Sequence, residues 1–187
     1  MFIDITLKIT PEMISGAREN DKYALPGHLG THFDVMNKDF PLEYLERNGI
    51  VFDVSKVTGR DITEKDIEID RVKSDMFIAF FTGFIEKIGY GNEEYFSEHP
   101  QLSNELINDL IEKGISIIGI DFAGIRRGAE HTPKDQYCAD RGVFIVENIY
   151  NLFKILDGKK YQKFTAYTYP VNYSEMTGLP CRVVAKI

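Results

Sequence analysis

A mixed α/β fold in one domain, residues 1–187, with more strand than helix, is what three features of the sequence predict. The opening stretch FIDITLKI alternates large apolar and polar side chains, the period of a half-buried strand. The runs MFIAFF (76–81) and ISIIGI (115–120) are apolar without interruption, as strands buried on both faces are. Between them, PQLSNELINDLIEKG has apolar residues at 102, 106, 107, 110 and 111, the spacing of an amphipathic helix.

Taken in order, the first strand stops at Pro11, which has no amide hydrogen to give a ladder, and 11–27 reads as a loop. FPLEYLERNG (40–49) spaces Leu42 and Leu45 three apart, predicting a short helix ended by Gly49. IVFDVS (50–55) is strand-like, and DITEKDIE (61–68) is charged and turn-rich. After the buried strand in MFIAFFTGF, Ser103 caps the amphipathic helix and Gly114 stops it. ISIIGID feeds the long polar connection FAGIRRGAEHTPKDQ (122–136), and a loop leaving a core strand is a usual place for a site. GVFIVEN reads as strand, NLFKIL as a short helix, and FTAYTYPV and CRVVAKI as closing strands. No internal repeat or linker divides the chain.

Composition excludes several classes. With 22 basic against 29 acidic side chains, the net charge is -7, and no basic block is dense enough to follow a phosphate backbone. Nucleic acid is not an expected partner. The apolar runs fall far short of the roughly 20 residues a membrane helix needs, so no membrane is expected either. Cys138 and Cys181 have no CxxC spacing, and no signal peptide precedes the first strand, which suits a reducing cytoplasm. GYGNEE (89–94) lacks the last glycine of a dinucleotide fingerprint. His99 belongs to a turn entering a helix, Arg126 and Arg127 read as a solvated pair, and Cys138 has no histidine beside it to activate a nucleophile.

The chemistry concentrates in HLGTHFD (28–34), which holds two of the four histidines and an aspartate. In a straight strand His28, His32 and Asp34 would share a face, but the two histidines would lie about 13 Å apart at roughly 3.3 Å per residue. Ligands that each sit about 2 Å from one ion cannot be so far apart. The chain must therefore bend between them, and Gly30 is placed to allow it and to leave room beside an ion. Thr31 offers a hydroxyl to orient a ligand or water. Two imidazoles and a carboxylate suit zinc, manganese or iron, and such an ion would activate water for hydrolysis.

HLGTHFD also resembles the H-x-G-T-H-x-D signature of the cyclase-like family of metal-dependent hydrolases, which includes bacterial kynurenine formamidase and isatin hydrolase. Further segments resemble that family in order along the chain: FIDIT, IAFFTGF, EYFSEHPQLSNELINDLIEKGISIIGID, GVFIVENIYNL and GLPCRVVAKI. The resemblance implies a swivelling β/β/α-type fold, a curled mixed sheet flanked by helices, assembled as a homodimer or homotetramer. It implies a hydrolase that cleaves a carbon-nitrogen bond of a small amide, formamide or cyclic amide, as an arylformamidase of tryptophan catabolism does. One or two zinc or manganese ions per chain would be held by His28, His32, Asp34 and Glu147, the aspartate able to bridge two ions.

Three departures from the family follow. Twelve residues before Glu147 the family has a histidine ligand where this chain has Asp135, with His131 four residues away as the competing candidate; an oxygen ligand there favours manganese. The family's D-x-P-x-H ends in a histidine that moves protons; DVMNK puts Met36 and Lys38 in place of the proline and histidine. Lys38 is thus the candidate catalytic residue, as acid or base if its ordinary pKa of about 10.4 is lowered, or as a fixed cation for an anionic substrate. Lastly, the segment before His28 is short and the chain has no tryptophan, so Phe33 and Phe40, with Tyr23 and Phe84, are the expected lining of the substrate pocket. The alternative is a metal- or ligand-binding protein that kept the scaffold without turnover.

Overall fold

The structure, a computed structural model, describes residues 1–18 and 27–187. Its elements are β1 (Phe2–Asp4), α1 (Pro11–Arg18), β2 (His32–Asp34), β3 (Glu46–Asp53), β4 (Phe77–Phe81), α2 (Phe84–Ile88), α3 (Glu93–Ser97), α4 (Asn104–Glu112), β5 (Ile117–Ile120), α5 (His131–Ala139), β6 (Phe144–Glu147), α6 (Leu152–Leu156), β7 (Tyr161–Pro170) and β8 (Gly178–Lys186). The strands form one sheet in the order β1-β8-β2-β6-β5-β4-β3-β7, and β7 pairs again with β8. That second pairing closes seven strands into a barrel and leaves β1 as an extension on β8. Strands β3 to β6 run parallel to one another, and the remaining pairings are antiparallel.

Strand β8 organises the region of HLGTHFD. Along one edge its Gly178–Pro180 pairs with β2 and its Val184–Lys186 with β1, so these two short strands lie end to end beside it. The barrel interior is filled by Phe33, Val51, Phe77, Val146, Phe164 and Val183. Its outer face packs Ile50, Phe80, Ile118 and Ile145 against Leu106, Ile107 and Leu110 of α4. Strands apolar on both sides follow from this two-layer burial, and Ser103 caps α4 by accepting the Leu106 amide at 3.1 Å. The mixed α/β class and the curled sheet flanked by helices are thus present as expected.

Local expectations fail in four places, the first being that β1 ends at Asp4, well short of Pro11. Residues 11–27 are not all loop: α1 starts at Pro11, where a proline's missing amide hydrogen leaves no bond unmade. Only one 3-10 turn, Leu42–Leu45, forms in FPLEYLERNG before β3 begins, and Gly49 lies inside that strand. A Cβ there would come within 2.7 Å of the Phe164 ring, so glycine serves close packing instead of ending a helix. The second part of the polar connection 122–136 is helical, a 3-10 turn over Gly128–Glu130 followed by α5 from His131, with Pro133 within its first turn. No helix among the described residues is long and apolar enough to cross a membrane.

Candidate metal centre

The bend expected at Gly30 is made: its φ of 71° lies in the left-handed region, and a Cβ would meet Ile9 Cδ1 at 2.4 Å. The glycine therefore clears Ile9 and turns the chain, while room for an ion has no part in it. The turn brings His28 Nδ1 to 3.1 Å from His32 Nε2. Beyond it β2 projects His32 and Asp34 from one face, and its register sets His32 opposite Glu147 of β6. From above, α5 contributes His131 and Asp135, four residues apart and so on the same helix face. In the sequence these two look like competitors because the segment that carries them reads as a loop. On the helix both reach the cluster.

Six donor side chains converge. His28 Nδ1 lies 3.2 Å and His32 Nε2 3.5 Å from Asp34 Oδ1, and His32 Nε2 lies 3.6 Å from Glu147 Oε2. His131 Nε2 lies 3.0 Å from Glu147 Oε1 and 3.2 Å from Asp135 Oδ2. The ligand atoms form two overlapping groups, His28–His32–Asp34 and Asp34–His131–Asp135–Glu147, each within 4.8 Å. Donors about 2 Å from a shared ion span about 4 Å, so both groups have the size of a cation site. Asp34 belongs to both.

The electrostatics are those of a pocket in which His32, Asp34, Asp135 and Glu147 are buried while His28 and His131 stay partly exposed. Burial opposes charge on His32, but Asp34 and Glu147 push it up to about 9. Burial also opposes the charge on His131, which Glu147, Asp135 and Asp34 together raise to about 10. Burial would lift Asp34, yet His32 and His28 hold it well below the usual carboxylate range. Asp135 goes the other way: burial and the charge of Asp34 raise it far above that range. Two buried oxygens, Asp34 Oδ2 and Asp135 Oδ1, have no hydrogen-bond partner. Leaving such atoms unmatched is costly, and a divalent cation accepts lone pairs from both carboxylates and imidazoles. The residues fit a metal.

Other expected site residues lie elsewhere. Lys38 does not enter the cluster; its ammonium is paired with Asp140 at 2.7 Å, both side chains well exposed. Phe33, between His32 and Asp34, points to the opposite face and is wholly buried in the barrel interior, so it lines no substrate pocket. Phe40, partly buried, packs on it with ring centroids 4.6 Å apart and, with Lys38 and Met36, lines a cavity away from the cluster. Phe84 packs beside Tyr95 with centroids 5.7 Å apart, and Tyr23 lies outside the described residues. Thr31 orients no ligand; it donates to the Asn148 carbonyl and accepts the Leu7 amide, tying the loop to its neighbours. Arg126 is buried, not solvated, and binds Asp61, Glu130 and the Leu102 carbonyl. His99 is buried, stacked on Phe122, and lowered by that burial to about 4.

Several supports escape a reading of the sequence. Thr177 Oγ1 bonds His28 Nε2 at 2.9 Å, and a Cβ on Gly178 would come within 2.7 Å of that imidazole. Asn148, beside Glu147, bonds Gly30 and Tyr95. Their signal is weak, since each touches a ligand or loop that is remote in sequence.

A closed mixed barrel with a carboxylate-imidazole cluster on its outer face, under α5, defines the class: an α/β-barrel protein built around a candidate cation site. The chain belongs to the cyclase family, whose model, described as "Putative cyclase", matches residues 3–126, about two-thirds of its length. That match includes His28, His32 and Asp34 and ends before His131, Asp135 and Glu147. No match was found among curated proteins. Among solved structures the chain is similar to a potential metal-dependent hydrolase with cyclase activity, at 22% identity and TM-score 0.76, covering 99% of this chain and 96% of that one. It is similar to isatin hydrolase A from Labrenzia aggregata, at 20% identity and TM-score 0.74, covering 99% and 93%. A predicted metal-dependent hydrolase from Bacillus stearothermophilus gives 21% identity and TM-score 0.72, covering 99% and 97%. At such identities these likenesses establish the fold.

Proposed function

We propose that the protein is a metal-dependent hydrolase that cleaves a carbon-nitrogen bond of a small amide, formamide or cyclic amide. The observation that carries this reading is the pair of unpartnered buried oxygens, Asp34 Oδ2 and Asp135 Oδ1, inside a cluster of three imidazoles and three carboxylates. His28, His32 and Asp34 would hold one ion, and Asp34, His131, Asp135 and Glu147 a second. These residues would present a divalent ion as a Lewis acid, which would supply activation of water near neutral pH and polarisation of the carbonyl of the scissile bond. The first group, with two nitrogens to one oxygen, suits zinc; the second, mostly oxygen, suits manganese. His28 is the more exposed imidazole of the first group and marks the side open to substrate. Were both groups filled, His131 would be a ligand; were only the first filled, its imidazole at the rim would be the group placed to give the leaving nitrogen a proton.

The finer form of the reading is arylformamide cleavage, the kynurenine formamidase reaction of tryptophan catabolism. The resemblance noted from the sequence supports it, together with a cytoplasmic homodimer or homotetramer. Lys38 favours a second reading, a metal- or ligand-binding protein without turnover, because it stands where the family has its proton-moving histidine and is engaged by Asp140. The test is the metal content of the purified protein followed by a panel of N-formyl and cyclic amides with and without chelator. Chelator-sensitive turnover is expected. Stoichiometric metal with no turnover on the panel supports the second reading, and absence of metal binding overturns the hydrolase reading and the metal-binding form of the second.

A further inference from the structure

The stretch GYGNEEY (89–95), which fails as a dinucleotide fingerprint, delivers two tyrosines to the back of HLGTHFD. Tyr90 and Tyr95 pack edge to face with ring centroids 5.4 Å apart. The Tyr90 hydroxyl accepts the Gly30 amide at 3.0 Å. Tyr95, wholly buried, donates its hydroxyl to Asn148 Oδ1 at 2.7 Å. The Gly30 carbonyl fixes the Asn148 amide, because a flipped amide would set its oxygen against that acceptor. Its Nδ2 donates to the Gly30 carbonyl at 2.8 Å, and the same carbonyl accepts from His32 Nδ1 at 2.9 Å.

We infer that Tyr90, Tyr95 and Asn148 are positioning residues that hold Gly30 at its N–H and at its C=O and thereby hold His32 with Nδ1 protonated and Nε2 aimed into the cluster. A carbonyl can only accept, so the ring nitrogen facing it carries a hydrogen in either protonation state, and Nε2 is the nitrogen that turns to a cation once its own proton leaves. Glycine has the widest range of backbone angles, so bonds to its N–H and its C=O narrow the orientations open to that carbonyl. Asn148 suits this role because it follows Glu147 directly, is 1% exposed, and has a φ of 58°, so backbone and side chain are both committed. Burial also keeps the Tyr95 phenol protonated and a donor. The chain Tyr95–Asn148–Gly30–His32 is an outer shell that supports an imidazole ligand from the side opposite the ion.

The inference rests on the metal-site reading above, and the experiment separates the two. Tyr95→Phe removes only the hydroxyl; Asn148→Gly removes the amide while tolerating the positive φ. Cobalt(II) binding to the metal-free proteins is followed by calorimetry and visible absorption, with thermal unfolding of each metal-free variant alongside. Asn148→Gly is expected to weaken cobalt binding about 10- to 100-fold with a changed absorption band. Tyr95→Phe should show a smaller loss of the same sign. Affinity and spectrum unchanged from wild type in Tyr95→Phe, even with a lowered melting temperature, overturn the positioning role; this variant decides alone if Asn148→Gly does not fold. Wild-type protein that binds no cobalt overturns the metal-site reading itself.

Discussion

Filling the cluster with a divalent cation must expel protons, and the arrangement of charges says how many. Asp34 and Glu147 outweigh the burial of His32 and lift it to about 9; Glu147, Asp135 and Asp34 do the same for His131, to about 10. At pH 7 each imidazole of the cation-free protein therefore carries its proton in more than about nine-tenths of molecules. A cation needs the lone pairs those protons occupy, so filling both groups releases at least these two protons per chain, and in addition any proton that Asp135, raised by burial and by the charge of Asp34, holds. Affinity then falls as pH falls, about tenfold per proton for each unit, or about 100-fold from pH 8 to pH 7. Calorimetric titration with cobalt or manganese at pH 7, in two buffers of different ionisation enthalpy, reads the proton number from the dependence of heat on buffer. Stoichiometric binding with heat independent of the buffer would refute the argument, because the ligands would then be groups already deprotonated. The same raised values stabilise the cation-free fold fully below the unfolded imidazole value of about 6.5, and that contribution fades as pH rises through about 9 to 10.

Three further outcomes are expected. Gly178→Ala pushes a Cβ against the His28 imidazole, and should cost about 1–3 kcal/mol of binding at the first ligand group, measured by the same titration. Lys38→Ala should leave any turnover within about twofold and stability within about 1 kcal/mol, since its ion pair with Asp140 is exposed; a large loss of rate would restore Lys38 to the chemistry. Arg126→Met keeps the apolar stem but loses bonds to Asp61, Glu130 and the Leu102 carbonyl. It should destabilise by about 2 kcal/mol and lower the melting temperature by about 4–8 °C in a scanning calorimeter.

The strands and the candidate ligands differ in how they can be read. Strands β4, β5 and β6 are continuous apolar runs because both of their faces are buried, and α4 has its apolar period and its Ser103 cap, so these are legible locally. Helix α5 is not, because the residues it buries are Asp135, Cys138 and Ala139; it packs its donors on the cluster and leaves almost no apolar period to detect. For that reason His131 and Asp135 look like rivals in the sequence. Phe33 is legible in principle: between His32 and Asp34 on a strand it must face away from them, and the expectation of a substrate contact there conflicts with that alternation.

What the amino-acid order settled alone was short-range: a turn at Gly30 that brings two imidazoles together, and the alternation that sends His32 and Asp34 the same way. The tertiary structure decided everything that depends on pairing between distant segments. It closed the barrel through β7 and β8, placed Glu147 opposite His32, laid α5 across the cluster, and took Lys38 to Asp140. The physical reason is that periodicity and backbone preference act over a few residues. Ligand sets and protonation states arise from charges and lone pairs brought within a few ångströms by burial, and no local pattern encodes those distances.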